Sequence, residues 1–263
     1  MIYAVGYPGS VVEEALAYLG VEQKDLAYCV NIAEMARSIS ANNLGILALG
    51  NSVYGRSLPA WQFICEQELK ILDIVNLAPQ FCVAAKSENF ELVTATPDML
   101  NLTANFWREH RSFLLKPEVD NLKALNLAKT YSEYATVCTE AEARQHGLDF
   151  CQKIKHQKLH QEFAVLGLKL ASKPYTSSFL ELRLAKFGTE SLALVLHTFA
   201  THGVEVLDFW NSEKILEDFS ESRLKTIFCE VNQDVRTACL RRALGQLRDA
   251  NLVIKVIEHG GRH

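Results

Sequence analysis

The sequence predicts an α/β fold with a largely parallel sheet, followed by a smaller unit of order βαββαβ. Three observations carry this. From Met1 to about Leu170, short apolar runs alternate with helical patterns; "LASKPYTSS" then breaks the periodicity; and a different, compact order of strands and helices follows it. With 263 residues, 49% of them apolar, the chain can bury a sizeable core as one large or two modest domains.

The elements follow in order. "IYAV" reads as a strand and "SVVEEALAYLG" as a helix, because Val12, Leu16 and Leu19 fall at i, i+4 and i+7. Ser10 with Glu13 predicts a capping box, and Gly20 sits where a helix-ending glycine belongs. "AYCV" then "IAEMARSIS", and "LGILAL" then "PAWQFICEQ", repeat the strand–helix alternation that a parallel sheet requires. The Pro, Ser and Thr of "LASKPYTSS" predict a linker with a boundary near Thr176. Beyond it come "SFLELRLA" (strand), "ESLALVLHTFATHG" (helix, with Leu192, Leu196 and Phe199 on one face) and "VEVLDFW" (strand). "SRLKTIFCEV" (strand), "QDVRTACLRRALGQLRDA" (helix, with Leu240, Leu244 and Leu247) and "LVIKVIE" (strand) complete the order. This is the ferredoxin-like split unit.

Charge and cysteine content restrict function. The net charge is −4 and lysines and arginines are interspersed with acids, so neither nucleic acid nor a membrane surface finds an electrostatic footprint. A small molecule or another protein is the expected partner. The seven cysteines form no CxxC pair and sit mostly beside apolar residues, which predicts buried, reduced thiols. The opening "MIYAVGYPGS" lacks the basic and apolar regions of a signal peptide, and no apolar run approaches the roughly 18 residues of a membrane span, so a cytoplasmic location is expected. His156 and His160 have i, i+4 spacing, but no HExxH frame surrounds them and Lys155 and Lys158 are neighbours; no metal and no cofactor is predicted. Neither Cys138 nor Cys151 has a partnering histidine in the sequence that would make it a nucleophile. Trp61, Trp107 and Trp210 read as separate core residues.

Two strand ends are candidate ligand sites: Gly6-Tyr7-Pro8-Gly9-Ser10, and Gly50-Asn51-Ser52 with Gly55 beyond. Ligands of parallel α/β sheets collect outside the carboxyl ends of strands, where glycines let backbone N–H groups converge and a helix N-terminus favours anions. Arg56 reads either as a cation for such a site or as an exposed turn residue.

Taken in order, these stretches resemble the prephenate dehydratase family over nearly the whole chain. "VGYPGSVVEEAL" is similar to its Gly-Pro-x-Gly-Thr-Phe-Ser-x-x-Ala opening, keeping Gly6, Gly9 and Ala15 with Ser10 in the threonine place. "LALGNSVYGRSLPAWQFICEQELKILDIVNLAPQFCVAAK" resembles the stretch around its Glu-Asn-Ser-x-x-Gly motif, keeping Asn51, Ser52, Gly55 and the later Cys82. "YATVCTEAEARQHGLDF" resembles its small-residue helix, with Ala135, Ala143, Gly147 and Leu148 kept. The tail resembles the family's ACT domain, a regulatory module that binds phenylalanine between subunits in relatives.

The resemblance implies a two-lobed, periplasmic-binding-protein-like domain over residues 1–172 and an ACT-like regulatory and dimerisation domain over 177–263. It implies a prephenate or related small-dicarboxylate ligand in an inter-lobe cleft built by Ser10, Asn51, Ser52, Thr96, Asn121, Gln161 and Phe163. A role in phenylalanine biosynthesis and a homodimer or homotetramer through residues 178–259 are implied with it.

The departures from the family pattern bear on chemistry. The Thr-Arg-Phe motif, whose threonine is thought to protonate the departing hydroxyl and whose arginine holds a carboxylate, falls on Gln161, Glu162 and Phe163. Ser-His-Pro falls on Ala95, Thr96 and Pro97, Ser-Thr falls on Asp120 and Asn121, and the glutamate of Glu-Asn-Ser falls on Gly50. In the tail, Gly-Ala-Leu becomes Glu190, Ser191 and Leu192, the regulatory positions, and Glu-Ser-Arg-Pro lies near Trp210, Asn211, Ser212 and Glu213. Gln161 donates hydrogen bonds but no proton, and an inward, ionised Glu162 repels a dianion. Three readings stay open: a dehydratase with a remodelled site, a non-aromatising prephenate decarboxylase, and a catalytically silent ligand-sensing homologue. No catalytic residue is assigned.

Overall fold

The computed structural model describes residues 1–110, 112–154, 159–168, 177–184, 189–211 and 225–257. They form β1 (Ile2–Val5), α1 (Val11–Tyr18), β2 (Leu26–Cys29), α2 (Ile32–Ser38), β3 (Leu44–Asn51), β4 (Gly55–Arg56), α3 (Leu58–Glu66) and β5 (Lys70–Leu77). Next come β6 (Phe81–Ala85), β7 (Leu92–Ala95), α4 (Pro97–Leu102), α5 (Ala104–Glu109), β8 (Leu114–Pro117), α6 (Asn121–Thr130), β9 (Tyr134–Thr139), α7 (Glu140–His146), β10 (Phe150–Lys153) and β11 (Gln161–Gly167). The tail adds β12 (Ser178–Leu184), α8 (Thr189–Thr201), β13 (Val206–Asn211), β14 (Lys225–Val231), α9 (Ala238–Asp249) and β15 (Val253–Ile257). The chain divides into two compact units, one of Met1–Met35, Gly50–Gly55 and Val75–Phe163, the other of Ala36–Leu49, Arg56–Ile74 and Ala164–His263. The boundary expected near Thr176, Lys155, His156, Lys158, Ser212 and Glu213 lie outside the described residues.

In the first unit β1 and β2 pair in parallel, Ile2 opposite Leu26 through Val5 opposite Cys29. A five-stranded sheet runs β10-β6-β9-β7-β8. In it β7 is parallel to β8 and β9, as the alternation predicts, whereas β6 is antiparallel to β9 and β10. Its inner strands β6, β9 and β7 are buried on both faces, which is why "FCVAA" of β6 reads as an unbroken apolar run, and the edge strands β8 and β10 are largely exposed. Phe81, Val83, Val93, Ala95, Ala135 and Val137 pack with Phe90 and Trp107 on one side. Cys82, Ala84 and Cys138 pack with Leu125, Ala128, Ala143 and Leu148 on the other.

The first helix corrects one expectation. Val12, Ala15 and Leu16 are buried and Gly20 takes a left-handed φ of 69°, as its position predicts. Ser10, however, makes no cap hydrogen bond to the helix. Its hydroxyl donates to the Tyr7 carbonyl at 2.6 Å, and Glu13 accepts instead from the Tyr28 hydroxyl, so no capping box forms there. The box appears at α7, where Thr139 and Glu142 each satisfy the other's backbone N–H.

The second unit takes residues 44–49 of β3, 164–167 of β11 and 70–74 of β5, and these strands lie side by side in that order. The tail forms the expected βαββαβ unit, an antiparallel sheet of order β13-β14-β12-β15. Leu240, Leu244 and Leu247 of α9 are buried with Leu180, Leu182, Ile227 and Cys229 on one face of this sheet. On α8 the buried stripe is Val195, Thr198 and Phe199, and Leu196 is 42% exposed rather than buried. A stripe centred on residues 195 and 199 leaves position 196 about 100° around the helix. The other face of the sheet carries Phe179 and Phe228, which meet Trp61 of α3.

Two further expectations change. Trp61 and Trp210 are not separate, since their ring centroids lie 5.0 Å apart. All seven cysteines are free thiols, but Cys151, on the edge strand β10, is exposed. Among the described residues, no helix is long and apolar enough to cross a membrane.

Candidate functional site

The candidate residues Ser10, Asn51, Ser52, Thr96, Asn121, Gln161 and Phe163 all fall in the first unit. Because β9, β7 and β8 run parallel and adjacent, the segments leaving their carboxyl ends line one edge of the sheet. These segments open α7, α4 and α6, and Thr139, Thr96 and Asp120 are the respective N-cap residues. Each cap is occupied from within: Thr139 accepts from Glu142 N, Thr96 from Met99 N, and Asp120 from Lys123 N. Asn121 begins α6, and its buried side-chain oxygen has no hydrogen-bond partner among the described residues.

Two loops join this edge. The first is Gly6–Ser10. Gly9 has a φ of +86°, and a Cβ there would stand 3.2 Å from the Cα of Glu142, so both backbone shape and space demand glycine. Thr139 donates to the Gly9 carbonyl at 3.3 Å, and Tyr7 donates to Glu142 at 2.6 Å. The second loop is Asn51–Gly55. Asn51 Oδ1 accepts from the backbone of Val53 at 3.0 Å and Tyr54 at 2.8 Å, an Asx turn. The Tyr54 hydroxyl donates to the carbonyl of Asp98, two residues after Thr96. Ser52 donates its N–H to the His160 carbonyl at 2.8 Å and accepts from His160 N at 3.0 Å, which pins the start of β11 beside the turn. The turn that holds Asn51 and Ser52 is thus hydrogen-bonded to His160, next to Gln161, and to Asp98 in the helix that Thr96 caps, while Ser10 bonds to Tyr7, the partner of Glu142. His160 is exposed, and Phe163 is buried in β11, where it packs rather than presents a surface.

The electrostatics of the edge are acidic. Burial raises the Glu142 carboxyl above its ordinary range, against the hydrogen bonds from Tyr7 and Thr139, which pull it back. Burial first, and Glu142 next, push the Tyr7 phenol far up, so it stays a donor. Lys123, at 2.7 Å, holds the Glu118 carboxyl below the usual range, with Lys116 adding to it at 3.6 Å. The two lysines of the edge are therefore engaged by Glu118. Arg56 is neither a site cation nor an exposed turn residue; Asp208 and Glu230 of the tail sheet hold its guanidinium. Among the described residues, no three or more His, Cys, Asp or Glu side chains are grouped to hold a metal ion.

Sequence reasoning missed Tyr7 and Glu142. A signal for them exists: "TEAE" at Thr139–Glu142 is a Thr-x-x-Glu capping box, and Tyr7 stands between two glycines that bend the chain toward it.

The family profile described as Prephenate dehydratase matches residues 2–169. The chain belongs to the prephenate dehydratase family. Solved structures of similar fold include the prephenate dehydratase from Staphylococcus aureus subsp. aureus Mu50, at 14% identity and a TM-score of 0.77 over 99% of both chains. The prephenate dehydratase from Arthrobacter aurescens in complex with L-Phe is 15% identical, with a TM-score of 0.78 over 98% of this chain and 89% of that one. A protein described as GqqA, a novel type of quorum quenching acylase, is 19% identical, with a TM-score of 0.78 over 98% of this chain and 96% of that one. Among curated proteins none matches the sequence.

Proposed function

We propose that this prephenate dehydratase-like protein binds prephenate, or a related small dicarboxylate, among Ser10, Asn51, Ser52, Thr96, Asn121 and Gln161, and that it does not run the family's dehydration at an ordinary rate. The reading rests on the start of β11. Ser52 exchanges two hydrogen bonds with His160, and the next two residues are an amide and a carboxylate at positions where the family motif has a hydroxyl and a guanidinium.

Aromatising prephenate expels a hydroxyl and a carboxylate together, so the site must protonate or hydrogen-bond the leaving oxygen and neutralise two anions. Gln161 offers a hydrogen bond without a proton. Glu162 adds charge of the wrong sign, and like charges about 4 Å apart at intermediate dielectric repel by roughly 4 kcal/mol. Lys116, Lys123 and Arg56 are already engaged by carboxylates.

The same reading assigns residues 1–172 to the ligand-binding domain and 177–263 to an ACT-like module that joins subunits through residues 178–259, in a cytoplasmic setting. Glu190, with Ser191 and Leu192, replaces the small residues that would approach phenylalanine, which makes binding of that amino acid weak or absent.

Incubation of the purified protein with prephenate, with the product identified by absorbance and mass and binding followed by calorimetry, tests the reading. Saturable binding with unchanged prephenate supports it. Phenylpyruvate formed at an ordinary enzymatic rate, on the order of 10 per second, overturns it. Loss of carbon dioxide without aromatisation assigns the chain to the decarboxylase reading. Cleavage of an acyl amide in a parallel assay assigns it to the chemistry named for the acylase of similar fold.

A further inference from the structure

Three cysteines of the first unit meet on one face of the five-stranded sheet. Cys82 of β6 stands directly opposite Cys138 of β9, and on the other side of β6 the edge strand β10 places Cys151 opposite Ala84, two residues along from Cys82. Residues opposite each other in an antiparallel pair share a face, so all three sulfurs lie on the side covered by α6 and α7. The Cys82 thiol reaches the Cys138 carbonyl at 3.4 Å, and the thiols of Cys138 and Cys151 both hydrogen-bond to the Cys82 sulfur. Cys82 and Cys138 are buried, whereas Cys151 is exposed.

These contacts give the three sulfurs different chemistry. Hydrogen bonds, from Cys138 foremost and also from Cys151, hold the Cys82 thiol below the ordinary range, against burial and the charges of Glu140 and Glu142. Cys138 is raised by its bond to Cys82 and by burial, so it keeps its proton. Burial and the bond to Cys82 push the Cys151 thiol up to about 12, against Lys153, which pairs with Glu140 at 2.9 Å. The Cys151 proton therefore leaves by way of Cys82. The exposed sulfur meets an oxidant first, with a proton acceptor and a second nucleophile in contact behind it.

We propose that Cys151 and Cys82 form a peroxide-sensitive pair, in which Cys151 is oxidised to a sulfenic acid and Cys82 closes it to a Cys82–Cys151 disulfide. The Cys151 sulfur bonds to one oxygen of hydrogen peroxide as its proton passes to the Cys82 thiolate; the O–O bond breaks and hydroxide leaves to solvent. The Cys82 sulfur then bonds to that of Cys151, the S–O bond breaks, and the departing hydroxide takes the Cys82 proton as water. The two sulfurs give up two electrons and the peroxide accepts them. Rotation of the exposed Cys151 side chain and a shift of its edge strand bring the sulfurs to a bonding distance of about 2.0 Å. Neither cysteine is among the proposed ligand residues, and the chemistry needs no ligand.

Peptide mass spectrometry tests the pair on the full chain, reduced, treated with hydrogen peroxide, then unfolded and alkylated. A linked peptide pair carrying Cys82 and Cys151, absent after dithiothreitol, is expected. In Cys151→Ser, a change at an exposed position, the Cys82 thiol should be lost to peroxide at least about tenfold more slowly. In Cys82→Ala, Cys151 should stop at the sulfenic acid, which dimedone captures. Absence of the linked peptide, a Cys82–Cys138 bridge in its place, or an unchanged rate of Cys82 loss in Cys151→Ser overturns the proposal. So does Cys151 driven to the sulfinic acid while Cys82 stays reduced, or linkage found only when peroxide is added in urea.

Discussion

The phenol of Tyr7 donates a 2.6 Å hydrogen bond to Glu142, a residue 135 positions further along the chain. The second carboxylate oxygen of Glu142 accepts from Thr139 N at 2.8 Å, so each oxygen of this buried group has a donor. Tyr7→Phe keeps the ring and removes one donor. It should lower unfolding free energy by about 1–3 kcal/mol, the cost of leaving a buried acceptor unsatisfied. Urea denaturation with an unchanged m-value is the measurement, and a loss well below this range means that water replaces the phenol.

The raised carboxyl of Glu142 sets a pH dependence of definite sign. A group whose folded value is raised binds its proton more tightly when folded, so its contribution is present below the unfolded value of about 4.3 and is lost as pH rises through the folded value. Wild type should therefore lose stability relative to Glu142→Gln as pH is raised from about 4 toward neutrality. Urea midpoints of both proteins across that range give the difference, and a slope of opposite sign contradicts the assignment.

Trp61 is fully buried, with Phe179 at 4.6 Å and Trp210 at 5.0 Å between ring centroids. Trp61→Ala should cost about 3–5 kcal/mol, the usual loss for a large aromatic truncated in a core. Thermal unfolding would show it as a drop in Tm, larger than that of Trp61→Phe.

Gln161→Thr combined with Glu162→Arg restores a hydroxyl and a cation at the start of β11. Loss of a general acid typically costs about 10² to 10⁴ in rate, and loss of a buried cation paired to a substrate carboxylate about 2 to 5 kcal/mol. The double variant should gain prephenate affinity or turnover over the unaltered protein in the same assay. No gain in either, in a variant that remains folded, sets aside positions 161 and 162 as the cause.

The tail sheet has β13 and β15 at its two edges, and Leu194, Leu196, Leu207 and Val253 are exposed on its elements. Open edges and exposed apolar side chains favour symmetric association. Light scattering at micromolar concentration should give a dimer or tetramer, and phenylalanine should leave Tm unchanged. A monomer contradicts the first expectation and a phenylalanine-dependent rise the second.

Local pattern by itself determined the helix faces of α1 and α9, the helix-ending role of Gly20, the βαββαβ order of the tail and the turn at Asn51. Each depends on residues within a few positions of one another, where backbone periodicity and φ preference act directly. The tertiary structure alone decided the rest. Ser10 and Glu13 have the spacing of a capping box, yet the Tyr28 hydroxyl takes the Glu13 oxygen and Ser10 turns back to Tyr7. Arg56 reads as a turn residue until partners 152 and 174 positions away enclose it, and Trp61 reads as solitary until Trp210 reaches it. Glu142, for which the sequence offered no reading, is enclosed by Gly9 and by Tyr7, 135 positions away. In each case the competing partner is distant in sequence, and a charge or hydroxyl leaves water only where folding supplies such a partner.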